Sequence, residues 1–175
     1  MTDAALEVRE GSQLLRFTFA ELLNYNGGGS AAGVAHAFKA MQRTLPLLDP
    51  DGPPQRREIG VRTAFRGPGG RDSFELVTRA VTDERFVIDL SLGRPQRGPA
   101  FAHFVFRLTY RDVVVTAVLR DGFVPDEFLD LAGRESRTDT EEARLTTLKT
   151  EVSDRLRAAP AADVYDVEPA LGRRR

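Results

Sequence analysis

The sequence predicts one α+β domain in which helices pack against an antiparallel-rich sheet, with a long amphipathic helix near the C-terminus. Its 175 residues suffice for one well-buried domain and are few for two. Hydrophobic residues make up 41% and charged residues 29%, as in ordinary globular domains. Segments with helical spacing of apolar residues occur before and after segments with period-two alternation, which favours the α+β class.

Two capping boxes mark the starts of predicted helices. Thr18 with Glu21 predicts a short helix that ends near Tyr25. Thr138 with Glu141 predicts the long helix, whose apolar stripe consists of Leu145, Leu148, Val152 and Leu156. Between these two, Pro125 is expected to open another short helix.

A glycine-rich break at 26–29 separates the first helix from a second one. Ser30 is expected to cap this second helix, which should end near Leu48. Its apolar positions with helical spacing are Val34, Phe38, Met41 and Leu45. The polar, proline-containing stretch 49–57 is expected to form an exposed loop.

The alternating segments predict strands at 59–65, 86–92, 101–110 and 113–119, with the last two joined as a hairpin. The alternation in the third segment places Phe104, Phe106 and Leu108 on one covered face of the sheet. Residues 67–70 are expected to form a tight connection, after which Asp72 and Glu75 start a helix. Residues 164–167 are expected to add a short edge strand.

The predicted organisation is a lead segment at 1–16, the domain at 17–168 and a disordered basic tail at 169–175. The first residues lack the basic and apolar regions of a signal peptide, and no stretch approaches 18 apolar residues. We therefore expect a cytoplasmic protein with no membrane partner.

The composition excludes several kinds of chemistry. With 0 Cys and 2 His, the chain cannot build a thiol nucleophile, a disulfide framework or a zinc finger, and no metal or other cofactor is expected. The net charge of −1 lacks the one-sided basic character of nucleic-acid-binding proteins, so no nucleic-acid partner is expected.

The glycine-rich turn is the most specific chemical feature. Backbone amides at a helix start carry partial positive charge, and glycines allow a ligand to approach them. Asn26, Gly27, Gly28, Gly29 and Ser30 are therefore predicted to bind an oxyanion of a small molecule, with Tyr25 as an aromatic wall. The alternative is a flexible connection between two helices in which Ser30 serves only as a cap.

The two histidines are further candidates. His36 lies six residues after Ser30 and could act as an acid or base, or give one axial ligand to haem. His103 is a candidate ligand-binding residue on a strand. The alternative for His36 is a surface or structural role, and for His103 it is packing on the sheet or exposure to solvent.

Residues 25–30 read Tyr-Asn-Gly-Gly-Gly-Ser, and residues 72–81 read Asp-Ser-Phe-Glu-Leu-Val-Thr-Arg-Ala-Val. Over about 17–168 the chain resembles the formylmethanofuran dehydrogenase E-like (FmdE-like) family. The corresponding family strings are Phe-His-Gly-His-Leu-Cys and Asp-Ala-Ile-Gln-Val-Leu-Thr-Gly-Cys-Thr. In this register Asn26 and Gly28 replace histidines, and Ser30 and Ala80 replace cysteines. The resemblance implies a pocket that has lost its metal ligands.

The resemblance also implies that Asp72 lies across this pocket from Ser30, where its carboxylate could act as a base. Arg79 stands where the family has glycine, and its guanidinium could bind an anionic ligand there. The alternatives are a helix-capping role for Asp72 and a solvated side chain for Arg79.

Two classes of function follow. The first is a metal-independent enzyme for a small polar metabolite, with Ser30 and the turn holding an oxyanion and His36 or Asp72 moving a proton. The second is a non-catalytic small-molecule-binding protein or an accessory component of a redox complex. The sheet edge, the C-terminal helix and the dimeric tendency of the family also permit a homodimer.

Overall fold

In the computed structural model, which describes residues 4–168, the chain begins with an antiparallel hairpin of β1 (Leu6–Glu10) and β2 (Gln13–Phe17). The predicted lead segment at 1–16 therefore contains two strands. Leu6 and Val8 alternate with charged residues and are buried in the main core, so the hairpin is part of the packed fold. The predicted basic tail at 169–175 lies outside the described residues.

Helices α1 (Phe19–Asn26) and α2 (Ala31–Leu48) follow, with the boundaries that the sequence predicts. The first capping box is confirmed: the Glu21 backbone N–H donates to the Thr18 hydroxyl at 3.3 Å, and the Thr18 N–H donates to the Glu21 carboxylate at 2.7 Å. The expected cap by the Ser30 side chain is wrong. Ser30 occupies the cap position, but its side chain makes no capping hydrogen bond.

Helix α2 is the central element of the fold. It packs against the hairpin, the other long helix and three strands of the sheet, and its buried residues lie on every side. A helix that is apolar around its whole circumference belongs in the interior. Three polar residues, His36, Lys39 and Thr44, are buried on it as well.

The remaining elements form a sheet and the helices that cover it. In chain order they are β3 (Ile59–Thr63), α3 (Pro68–Thr78), β4 (Phe86–Ile88), β5 (Val105–Tyr110), β6 (Val113–Leu119), α4 (Asp126–Ala132), α5 (Asp139–Ala158), α6 (Ala161–Val164) and β7 (Tyr165–Glu168).

The five-stranded sheet has the order β4-β3-β5-β6-β7, and only β3 and β4 pair in parallel. The hairpin between β5 and β6 and the edge position of β7 confirm two predictions. Phe106 and Leu108 face the helices, and Phe104, just before β5, joins the same core. The apolar alternation thus identified the face that the helices cover. The expectation of a single covered face is wrong, because a smaller core covers part of the other face.

Three strands are shorter than predicted. Strand β3 ends at Thr63, and β4 and β5 are shortened because the chain between them folds back over the second sheet face. The segment after β4 forms short 3-10 turns at Leu90–Leu92, Pro95–Arg97 and Pro99–Ala102. Leu92 and Phe101 pack there with Ala64, Val105 and Val118 in a separate small core. The predicted strand 86–92 includes the first of these turns, the predicted strand 101–110 includes part of the last, and those parts of the prediction are wrong.

The start of α3 also differs from the prediction. The helix begins at Pro68, whose fixed φ and missing N–H suit the first helical position. Asp72 therefore lies inside the helix and does not cap it. Glu75 belongs to no capping box; its carboxylate accepts hydrogen bonds from the Thr82 backbone and hydroxyl near the other end of the helix.

Glycine in the first turn of α3 reflects close packing. A Cβ atom at Gly69 would lie 2.6 Å from the Ser30 carbonyl oxygen and 2.7 Å from the Val34 nitrogen. The backbones of α2 and α3 touch at this point, so a glycine-rich segment that resembles a loop in the sequence is helical here.

The long helix α5 matches its prediction closely. The Glu141 N–H donates to the Thr138 hydroxyl at 3.2 Å, and the Thr138 N–H donates to the Glu141 carboxylate at 2.9 Å. The predicted apolar stripe is buried against α2. The short helix after Pro125 is confirmed as α4.

Among residues 4–168, no helix combines the length and the apolar composition needed to cross a lipid bilayer.

We expect Gly69→Ala to lower the free energy of unfolding by about 1–3 kcal/mol, because the added methyl group meets backbone atoms that cannot rotate away. Urea denaturation followed by circular dichroism measures this change. Gly29→Ala is the control: nothing lies within 4 Å of its added Cβ, so its effect should stay within about 0.5 kcal/mol. Equal effects of the two substitutions would contradict the tight crossing of α2 and α3.

Candidate functional site

The glycine-rich turn joins α1 to α2 at the protein surface. Gly27 ends α1 in the left-handed conformation with φ 88°, and its N–H bonds to the carbonyls of Leu23 and Asn24. Tyr25 and Gly27–Gly29 are exposed, and nothing lies within 4 Å of a Cβ placed on any of the three glycines. The turn is therefore accessible, but Tyr25 does not enclose it.

The Asn26 side chain links the turn to α3. Its Oδ1 accepts a hydrogen bond from the Ser30 backbone N–H at 3.2 Å, and its Nδ2 donates to the Asp72 Oδ2 at 2.8 Å. Both bonds are partly buried. The structure thus brings Asn26, Ser30 and Asp72 together, as the sequence analysis expected, although Asp72 arrives from inside a helix. The Lys149 ammonium approaches the Gly29 carbonyl at 3.5 Å.

His36 lies in the protein interior. Its ring stacks on Phe104 with centroids 3.8 Å apart, and its Nδ1 shares a hydrogen bond of 2.7 Å with the Tyr165 hydroxyl. Burial lowers the pKa of His36 to about 3 and raises the pKa of Tyr165 well above its ordinary value. His36 is therefore neutral at physiological pH, and this environment does not support the expected role of moving a proton near neutral pH.

Arg79 and Ala80 lie at the far end of α3. Arg79 ends the helix with φ 60°, and its guanidinium lies 3.8 Å from the Glu75 carboxylate. At about 1.5 Å per residue, the last helical residue Thr78 is roughly 14 Å along the axis from Gly69, which touches Ser30, and Ala80 lies beyond it. The structure therefore does not bring Arg79 or Ala80 to the turn.

The last carbonyl groups of α3 are occupied by arginines. Arg56 Nε donates to the Val77 carbonyl at 2.9 Å, and Arg85 Nη2 donates to the Thr78 carbonyl at 3.0 Å. These bonds satisfy groups that have no partner within the helix. They connect the end of α3 to the segments that lead into β3 and β4.

His103 is exposed at the end of the 3-10 turn that precedes β5, and it is not in the strand itself. Its ring packs edge-on against Phe104 with centroids 6.3 Å apart. Partial burial and the positive charge of Arg66 lower the pKa of His103. Phe104 thus lies against both histidines. Neither histidine takes part in the polar contacts described for the turn.

The turn does not fit a metal ion. Within residues 4–168 there is no group of three or more His, Asp or Glu side chains that could hold one. Both polar atoms of the Asn26 side chain are already engaged in hydrogen bonds. Gly28 and Ala80, which the resemblance aligns with metal ligands, carry no donor atom in their side chains.

A groove of about 630 Å³ lies on another side of α2, and the sequence analysis did not predict it. It is bounded by β1, the C-terminal half of α2, the loop 49–54 and the segment 157–161. Its apolar wall includes Leu6, Met41, Leu45, Pro46, Pro53 and Pro160. Four segments that are distant in sequence form it. The sequence signal that these positions share is the recurrence of proline at 46, 50, 53, 54 and 160.

Charged residues also line the groove. Lys39, on α2, is only 4% exposed. Glu7 forms an ion pair with Arg16 at 2.7 Å, and the guanidinium of Arg157 lies 4.0 Å from the centre of the Phe19 ring. Lys39 is therefore the buried charged residue of this wall.

Comparison with models of known protein families and with curated proteins finds no match to this chain. The relation to the FmdE-like family stays a prediction.

We expect acid to destabilise the protein through His36. Its folded pKa of about 3 lies below the ordinary value of 6.5, so the unfolded chain takes up a proton that the folded chain does not. The free energy of unfolding should therefore fall by up to about 1.4 kcal/mol per pH unit as the pH decreases from about 6.5 towards 3. Urea titrations between pH 7 and pH 5 measure this slope before most carboxylates titrate.

His36→Phe should remove this part of the slope, because phenylalanine keeps an aromatic ring but takes up no proton. His103→Gln is the control and should keep most of the slope, since His103 is exposed. If His36→Phe leaves the slope unchanged, the burial of a neutral His36 is contradicted.

Proposed function

We propose that this chain is a non-catalytic small-molecule-binding protein whose ligand lies in the groove beside α2. The observation that carries the proposal is the groove itself, a concave and largely apolar site of about 630 Å³. Sites for small organic ligands have volumes of roughly 300–1,000 Å³ and combine apolar walls with a few polar groups.

The lining of the groove indicates the class of ligand. Proline, leucine and methionine side chains favour an apolar body, and the two cationic side chains that line the groove, those of Lys39 and Arg157, favour an acidic group on the ligand. Of the two carboxylates that line the groove, Glu7 pairs with Arg16 and Asp49 accepts a hydrogen bond from the Asp51 N–H at 3.0 Å, and both contacts reduce their repulsion of an anion. We therefore infer an amphipathic organic anion as ligand, bound in the cytoplasm.

A second candidate function is a metal-independent enzyme that acts at the glycine-rich turn on a small polar metabolite. The contact of Asn26 with both Ser30 and Asp72 favours it, because a carboxylate and a hydroxyl-bearing residue meet at an accessible turn. The N–H groups of Gly27, Gly28 and Ser30 already donate to groups of the protein, so the expected oxyanion site does not include them. His36 has no role in this version, since its ring is enclosed by Phe104 and Tyr165.

A thermal-shift screen of amphipathic organic acids and small polar metabolites tests the two sites together. A ligand present at 100 times its Kd should stabilise the protein by about 2.7 kcal/mol and raise Tm by about 5–10 °C. For a ligand of the groove, Lys39→Met should reduce this shift at least by half, because the substitution removes the buried positive charge. Asp72→Asn should leave it unchanged.

Lys149→Met is the matched control, because Lys39 and Lys149 are the only lysines in the sequence and Lys149 lies beside the turn, outside the lining of the groove. The opposite pattern, in which only Asp72→Asn removes the shift, would contradict the groove and favour the turn. Mass spectrometry of each stabilising compound after incubation then separates binding from turnover, since an enzyme alters its substrate and a binding protein returns it unchanged.

A further inference from the structure

The groove beside α2 meets strand β1 along the edge of the strand. Leu6 and Glu7 both line the groove, although their side chains point to opposite faces of β1. Leu6 is buried in the main core, and Glu7 pairs with Arg16 on the other face. A groove that touches consecutive residues of a strand runs along its edge, where the backbone N–H and C=O groups emerge.

The hydrogen bonds of β1 show that Glu7 directs its backbone groups towards this edge. The Arg9 N–H donates to the Pro54 carbonyl at 2.8 Å, so it points away from β2. Alternate residues of a strand direct their N–H and C=O groups to the same side, and those of Glu7 therefore also point away from β2. Within residues 4–168, no group bonds to the N–H or to the carbonyl of Glu7.

The loop beside β1 cannot complete this pairing. Arg9 and Gln55 form a parallel bridge, so the chain that ends the loop 49–54 already pairs with β1 at Arg9. To continue in the same register, the loop would have to supply an N–H group at position 54 for the Glu7 carbonyl. Position 54 is proline, which has no N–H. The edge of β1 at Glu7 is therefore left open to the groove.

These two backbone groups restrict the ligand. A ligand that lies against the edge displaces water from the Glu7 N–H and carbonyl. A ligand without hydrogen-bonding groups would leave both without a partner, which costs free energy. A peptide backbone supplies one acceptor and one donor at the spacing of a strand, as when an extended peptide is added to the edge of a sheet.

We propose that the groove binds a short, extended peptide that ends in a free carboxylate. One N–H of the peptide donates to the Glu7 carbonyl, and one of its carbonyls accepts from the Glu7 N–H. This inference rests on the proposed function, because it specifies which organic anion occupies the same groove.

The rest of the lining fits such a peptide. The cationic side chains of Lys39 and Arg157 complement the terminal carboxylate. The volume of about 630 Å³ lies in the range of sites for small organic ligands. Apolar side chains of the peptide have an apolar wall to pack against, formed by Leu6, Met41, Leu45, Pro46, Pro53 and Pro160.

Isothermal titration calorimetry with N-acetyl dipeptides tests the proposal. The probes are all N-acetyl dipeptides built from alanine, valine, leucine, methionine and phenylalanine, each with a free carboxylate. At least one probe should bind with Kd below about 1 mM. Its C-terminal amide should bind about tenfold more weakly or worse, because the amide has no charge to complement Lys39 and Arg157.

Two substitutions test the contact with Glu7. Glu7→Pro removes the N–H that faces the groove and keeps the hydrogen bonds of the hairpin, since this N–H points away from β2. It should weaken binding about tenfold, because a carbonyl of the peptide loses its donor. Glu7→Ala is the matched control: it also removes the carboxylate but keeps the N–H, so its Kd should stay within about twofold. Circular dichroism verifies that both variants are folded.

An ester analogue of the best probe tests the same contact on the unsubstituted protein. Oxygen replaces both amide N–H groups, so the analogue has no donor for the Glu7 carbonyl and keeps its carboxylate and side chains. We expect its Kd to rise about tenfold.

Three results would overturn the proposal. They are the absence of binding by every probe, equal binding of the peptide and its ester analogue, and equal binding to the Glu7→Pro and Glu7→Ala variants. If no peptide binds but an organic acid without a peptide group stabilises the protein in a manner that Lys39→Met reduces, the peptide is excluded and the proposed function stands. If neither kind of compound binds, both proposals fail.

Discussion

The close approach of α2 and α3 is the constraint on which the rest of the structure depends. At Gly69 the two helix backbones touch, since any side chain there would collide with the Ser30 carbonyl and the Val34 nitrogen. Phe65, in the loop before α3, fills the adjacent space against Gly33 and Gly70. This contact orients α3 over the sheet and places Asp72 within reach of Asn26. The geometry of the turn is thus a consequence of packing between helices.

Local signals in the sequence predicted the elements that depend on local contacts. The capping boxes at Thr18 and Thr138 involve residues three positions apart, so the sequence contains all the information needed. The start of α3 was predicted wrongly because three glycines ordinarily disfavour a helix. The cost of glycine in a helix is about 1 kcal/mol per residue, and close packing against α2 and Phe65 outweighs it.

The candidate sites were predicted only in part, because burial depends on contacts distant in sequence. The proximity of Ser30 and Asp72 was anticipated from a resemblance, and the Asn26 side chain joins them. Nothing in the sequence near His36 indicates that Tyr165 and Phe104 enclose it. The groove brings together segments from the first, middle and last parts of the chain. Such a site becomes visible only when the arrangement of β1 and α5 around α2 is known.

The hydrogen bond between His36 and Tyr165 joins residues that are 129 positions apart, and both are completely enclosed. Its formation requires that β7 has already docked beside β6, after the chain has passed through α4, α5 and α6. Tyr165 also packs edge-on against Phe106, and His36 stacks on Phe104. The centre of the core therefore depends on the last strand of the described chain, which supplies the hydroxyl that bonds to His36.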